Sequence, residues 1–307
     1  MTLDSALDDL VDPTKRLSST QLAGLTDIDS EALQRLGDAW GSMPTDRRLR
    51  LINDLIDLAE DNVDLNFDAI FKQALQDEEA LLRAAAIRGL YEYEGRDLIR
   101  VLCRLLREDP DVEVRREAAV ALGRYALAAE LGYLGPSDVA SLRETLTEAA
   151  EDLDEDERVR ARAIEALGAI SDEEIENLIE SIYQEEDSVW LKVGAVDAMG
   201  RSCNEVWLPT ILLEMGSPSP EMRHAAAFAA GEIGDEEAIP LLRRAAIEDP
   251  DREVRLAAVR SLGEIGGQQA RVALQGVLYE GEDSLREPVA EALAEIAFAD
   301  DPMSPGL

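Results

Sequence analysis

The chain of 307 residues is 46% hydrophobic but only 4% aromatic, and its 66 acidic residues against 30 basic ones give a formal net charge of −36. Abundant Ala and Leu favour helix, while few aromatic and β-branched runs argue against a β-rich core. No apolar stretch approaches the roughly 20 residues a membrane helix needs, and a surface this negative repels phosphate backbones and anionic headgroups, so neither nucleic acid nor membrane is expected as a partner.

The opening stretch, MTLDSALDDLVDPTK, has neither the basic start nor the apolar core of a signal peptide, which points to the cytoplasm. Cys103 and Cys203 each fall inside a helical pattern without CxxC spacing and read as buried thiols of a reducing compartment. Lys15, Lys72 and Lys192 are the lysines, so arginine carries most of the positive charge. The acidity has two readings that assign no function: adaptation to high salt, or a genome that favours arginine over lysine. A third is selection of a basic partner.

Residues 1–42 fit the period poorly and are expected to form an atypical helical cap, with short helices in SSTQLAGL and SEALQRLGDAW, each opened by Ser. A degenerate two-helix unit follows over 43–76, its first helix near Arg47 to Glu60 and its second near Leu65 to Leu75. Clear repetition then begins. EDPDVEVRREAAVALGRY from Glu108 returns almost unchanged as EDPDREVRLAAVRSLGEI from Glu248. Aligned on the basic residue of this segment, the chain gives Arg83, Arg115, Arg160, Lys192, Arg223, Arg255 and Arg286, spaced by 32, 45, 32, 31, 32 and 31 residues. Ala recurs three positions after these anchors, with Val289 the departure, and Gly eight after them, with Tyr91 and Ala294 as departures. A period near 32 marks stacked helical pairs, since one pair alone cannot bury its apolar face.

The units are expected near 77–108, 109–151, 152–186, 187–216, 217–248, 249–280 and 281–298, with a flexible tail over 299–307. In each, a helix-start signal such as Asp109-Pro110 or Asp249-Pro250 opens the first helix, and Gly near its end suits the turn out of it. The long spacing of 45 places about 13 extra residues around Leu131 to Pro136, with Ser137 capping the next helix. That insertion is either a tolerated loop or a functional one.

The pattern DxxVRxxAAxALGxIG, as in DREVRLAAVRSLGEIG from Asp251 to Gly266, resembles the HEAT repeat, in particular the short HEAT-like type of phycobilisome lyase subunits. The resemblance covers residues 77–298 well and 43–76 weakly. It implies an all-α fold, an α-α superhelix of about seven to eight helical hairpins, in which the anchors are structural. The arginines would pair with acids such as Asp111 or Asp251 at repeat junctions; Lys192, which lacks the planar fork, would leave its junction looser.

No catalytic constellation emerges. Deoxyhypusine hydroxylase, a HEAT-like enzyme, holds two irons with His-Glu motifs, and His224 is the single histidine here. His224 occupies a variable column and reads as structural. The acidic run from Asp152 has Glu157 and Ala163 where a calcium loop needs Gly and Glu. Neither metal nor cofactor is expected. Trp190 lies two residues before its anchor, where the other units carry mostly polar residues, so it is the candidate exposed anchor for a partner. Trp207 falls in an apolar column and is expected in the core. The expected function is a non-catalytic scaffold or adaptor for a protein with a basic surface. The resemblance also implies a different role, as subunit or chaperone of a bilin-attaching lyase, and a regulatory array is a third.

Overall fold

The computed structural model describes Leu10, Lys15 and residues 18–300, without the side chain of Asp300. The expected tail over 299–307 lies almost entirely outside the described residues, as does much of the opening segment. Every regular element among the described residues is helical. None of these helices is long and apolar enough to cross a membrane. The chain forms two compact units, residues 1–125 with 136–145, and residues 126–135 with 146–307.

The first unit holds α1 (Ser19–Ala23), α2 (Ser30–Trp40), α3 (Thr45–Asp61), α4 (Asp68–Ala74), α5 (Ala80–Gly89) and α6 (Asp97–Glu108). Ser18 caps α1 in a reciprocal capping box with Gln21, whereas α2 is capped by Asp29 and not by the serine after it. Two long helices, α7 (Val112–Glu130) and α8 (Pro136–Glu151), give residues to both units. Gly135 with Pro136 opens α8 in place of Ser137: proline's fixed φ suits the first turn, where a free N–H would go unused.

The second unit continues with α9 (Glu157–Leu167), α10 (Glu173–Glu185), α11 (Val189–Arg201), α12 (Leu208–Glu214), α13 (Pro220–Ile233), α14 (Ile239–Glu248), α15 (Arg252–Ile265), α16 (Gly267–Glu280) and α17 (Arg286–Asp300). Odd-numbered helices from α9 to α17 pack one upon the next, and α10, α12, α14 and α16 cover them as a second layer. Small residues set the spacing of the inner layer. A Cβ on Gly168 of the α9 terminus would lie 2.3 Å from the Ala198 carbonyl oxygen, and one on Gly194 would lie 2.6 Å from that of Ala161. The recurring glycine therefore serves close approach, and at Gly168 it also ends its helix and begins the turn, as expected. In α13 the turn falls to Gly234, three residues past Gly231, at φ 76°.

Arginine and aspartate fix the register of successive pairs. Arg83 donates from Nε and Nη2 to the two carboxylate oxygens of Asp109, both at 2.7 Å, and Arg223 does the same to Asp249 at 2.7 and 2.8 Å. In each case Nη1 also reaches back to the loop before its own helix, to the carbonyl of Asp77 or of Ser217. Arg115 and Arg255 reach the carbonyls of Asp109 and Asp249 in the same way. Arg160 and Arg255 find Glu186 and Glu282 in place of aspartate. An unanticipated member, Arg48, pairs with Asp77, which also accepts the Trp40 indole N–H.

The acids that take the forks correct the expected chemistry of the Asp-Pro motif. Asp109 and Asp249 end the preceding helix, and their carboxylates also accept the N–H of Asp111 and Asp251. Asp111 and Asp251 are the helix caps, so they are not the partners of these forks, and Pro110 and Pro250 precede the helix. Although burial alone would raise it, hydrogen bonds from Arg223 hold the Asp249 carboxyl below its ordinary range. Arg286 departs from the series: it is exposed and pairs with Asp283 three residues away, because no later helix among the described residues brings it an acid.

Two substitutions test this packing. Gly194→Ala, a change that in an exposed helix would stabilise by up to about 1 kcal/mol, is expected to destabilise by about 2 kcal/mol or more in chemical denaturation, because the α9 backbone has no room for the methyl. Asp249→Asn is expected to cost about 2–4 kcal/mol, since it leaves the enclosed Arg223 guanidinium uncompensated.

Candidate functional site

The helical period places Trp190, Val193, Asp197 and Arg201 along one face of α11, while Leu191, Ala195 and Ala198 are buried on the other. The equivalent face of α9 carries Arg162 and Glu165, and that of α13 carries His224 and Phe228. These side chains line a cavity of about 470 Å³ in the second unit. Asp251 and Glu253, at the start of α15, complete its rim. Trp190 is 48% exposed. His224 is exposed beside it, in the same cavity.

Charge is unevenly satisfied here. Glu165 receives Arg162 from its own helix and Arg201 Nη2 from α11. Asp197 accepts no hydrogen bond among the described residues, and its ion pair with Arg162 is stretched to 4.0 Å although its side chain is only 15% exposed. Burial, reinforced by the Glu165 charge, pushes the Asp197 carboxyl up to about 7. Glu232, on the next helix, is likewise raised by burial. The Arg260 guanidinium stands 5.5 Å from the centre of the Phe228 ring and donates to Glu264. Among the described residues, no group of three or more His, Cys, Asp or Glu side chains is arranged to hold a metal ion.

The anchor on the helix that carries Trp190 is the one that is not arginine. Lys192 makes no fork; its Nζ lies 5.9 Å from the Tyr183 ring centre. The position that should supply its acid, equivalent to Asp109 and Asp249, is Ser217. Arginine and acid are thus lost together at one junction, which follows the helix carrying Trp190. Two further expectations need correction nearby. Cys203 is exposed, at φ 49° in the turn after α11, because the helix ends at Arg201 before the cysteine can turn inward. Trp207 is half-buried with its indole N–H enclosed and unpartnered, lifted from the core column by the short 3-10 turn in which it sits.

A second cavity, of about 630 Å³, lies in the first unit between the α1–α2 turn and α4. Leu25, Phe67 and Ile70 along it belong to the buried core, and Lys72 is committed to Asp97 and the Tyr93 ring. It offers less to a ligand than the cavity around Trp190.

Stacked helical pairs with a repeated internal register, and a surface cavity lined by side chains from four of them, define a helical-repeat protein. The model of the HEAT repeats matches residues 67–153, 124–200 and 208–294. The chain belongs to the HEAT repeat family. No curated protein matches the sequence. Among solved structures, human deoxyhypusine hydroxylase in complex with glycerol is 20% identical, with 96% of each chain covered and a TM-score of 0.39. The complex of CpcE and CpcF of phycocyanin lyase from Nostoc sp. PCC7120 is 19% identical, with 90% of this chain and 93% of that one covered and a TM-score of 0.49. Importin beta is 13% identical; 96% of this chain covers 41% of that one, with a TM-score of 0.45.

The Asp197 environment has a measurable consequence. A carboxyl whose folded-state value is raised from 3.8 to about 7 opposes folding once it ionises, so its cost is absent below the unfolded value and complete above the folded one. Asp197→Asn is therefore expected to be more stable than the parent by about 1–3 kcal/mol at pH 8, with the gain fading as the pH falls through 7 toward 4, in thermal melts across that range.

Proposed function

We propose that this chain is a non-catalytic scaffold or adaptor that binds a partner protein on the face of α9, α11 and α13, with Trp190 as the central apolar contact. The observation that carries this reading is a half-exposed tryptophan at the edge of a 470 Å³ cavity, in a chain whose other aromatic residues are few. Tryptophan is costly to leave in water and is enriched where interfaces gain most of their affinity. The net charge of −36 favours a partner whose contacting surface is rich in Arg and Lys. Association with such a partner is steered by long-range attraction and weakened by salt.

Site-directed photo-crosslinking tests this reading. With the photoreactive residue at the exposed position 224, crosslinking in a lysate of the source organism should yield a discrete adduct with a protein that carries a basic surface. Trp190→Ala should reduce the yield at least about tenfold, the loss expected of a central interface residue, and salt of about 0.5 M should reduce it as well. An adduct unaffected by both changes would contradict the reading, and so would no adduct at position 224 together with one at an exposed position of the opposite layer, such as 180.

A further inference from the structure

We infer that the cavity is an arginine subsite, in which a single arginine side chain of the partner stacks on Trp190 and presents its guanidinium to Asp197. This rests on the binding face proposed above and specifies the chemistry that the face selects.

The argument starts from an imbalance. The junction carboxylates Asp109 and Asp249 are each met by a forked arginine, and Glu165 is met by two arginines. Asp197 is enclosed nearly as well, lines an open cavity, and has only the 4.0 Å approach of Arg162. The groups that face it are Arg162 and Glu165 from α9, Arg201 from its own helix and Glu232 from α13. Both arginines are already engaged with Glu165, so the pocket retains an excess of negative charge. Leaving a carboxylate enclosed without a cation costs stability, and a cation delivered from outside recovers that cost.

The walls select among cations. Metal ions need several oxygen or nitrogen ligands converging on one point, and no such group is arranged among the described residues. A guanidinium is flat, only weakly hydrated, and able to lie on an aromatic face while forking onto a carboxylate. Trp190 provides the face and Asp197 the carboxylate, on the same side of α11 and two turns, about 10 Å, apart, so the methylene stem of the arginine lies along the indole while its guanidinium reaches the carboxylate. Asp251 and Glu253 at the rim, and Glu221 on α13, supply further negative charge for the approach of a basic segment. The molecule repeats the same chemistry internally: the Arg260 guanidinium lies over the Phe228 ring and donates to Glu264 one repeat further on.

The test uses the full chain and a dye-labelled Gly/Ser peptide bearing a few arginines, with its lysine counterpart, read by fluorescence anisotropy at physiological salt. The arginine peptide should bind at least about fivefold more tightly than the lysine peptide, given the advantage of a stacked fork. Asp197→Asn and Trp190→Ala should each weaken it about tenfold or more, whereas Glu248→Gln, which removes an equal charge from an exposed site in the second layer, should change it less than about twofold. Binding to the parent should tighten as the pH rises through 7, and still do so in His224→Asn, which removes the neighbouring imidazole.

Equal loss from Asp197→Asn and Glu248→Gln would show diffuse attraction to an acidic surface and overturn the inference. Equal affinity for the two peptides would also overturn it, as would no binding at all. A crosslinked partner lost from Trp190→Ala but retained by Asp197→Asn would leave the binding face standing and remove the arginine subsite from it.

Discussion

A guanidinium that forks onto a carboxylate at the end of the next helix, and reaches back to a carbonyl before its own, is the interaction on which the register of these helices depends. Hydrophobic burial drives the stacking, but alanine and leucine faces are slippery and specify position poorly. The fork has direction and a fixed reach. Arg83 with Asp109 and Arg223 with Asp249 span the same 26 residues, and each arginine also holds the loop six residues upstream of itself. A repeat can neither slide nor rotate against its neighbour without stranding a largely enclosed charge, which is far more expensive than losing an exposed ion pair. Close helix spacing adds to this, since the Gly194 and Gly168 backbones leave no latitude for a methyl group.

Against that regularity, the Lys192 junction stands out. Its arginine and its acid are both absent, replaced by lysine and by Ser217, and the helix that carries Lys192 also carries Trp190 and Asp197. The helix nevertheless keeps its place in the inner layer, packed against the helices on both sides of it. The enclosed Asp197 lies on the same helix, its carboxyl raised by burial and by the Glu165 charge.

Much of the fold was legible in the sequence because the repeat writes packing residues into fixed columns. A basic anchor in each unit, with Ala three later and Gly eight later in most of them, gave the period and the all-α class without reference to any contact. What each column does was harder to read. Aspartate before proline looks like a helix start, and only the fork from Arg83 shows that Asp109 closes one helix while Asp111 opens the next. The recurring glycine looks like a turn and nothing more until its distance to the next helix is known. Cys203 and Trp207 were misplaced because α11 ends within two residues of the cysteine and a 3-10 turn replaces the expected helical phase.

The site was legible only in part, and for the opposite reason. Trp190 was visible as an outlier in a polar column. Asp197 was not, although it belongs to the column five after the anchor, which reads Arg88, Val120, Glu165, Asp197, Phe228, Arg260 and Glu291. A column that varies this widely has no single packing role: Glu165 takes Arg201 and Arg260 covers Phe228, while Asp197 has the 4.0 Å approach of Arg162. Its residues acquire meaning only when neighbouring helices bring them together.

The most direct test of the central claim, that forked arginine junctions hold the register and that the Lys192 junction is the soft one, is native-state hydrogen exchange resolved by segment. Amides in α12 and residues 215–219 should exchange at least about tenfold faster than those in α14 and residues 249–251, reflecting a local opening energy lower by at least about 1.4 kcal/mol. Equal protection in the two segments would contradict the account, because it would mean that packing alone sets the register and that the arginine forks add nothing to it.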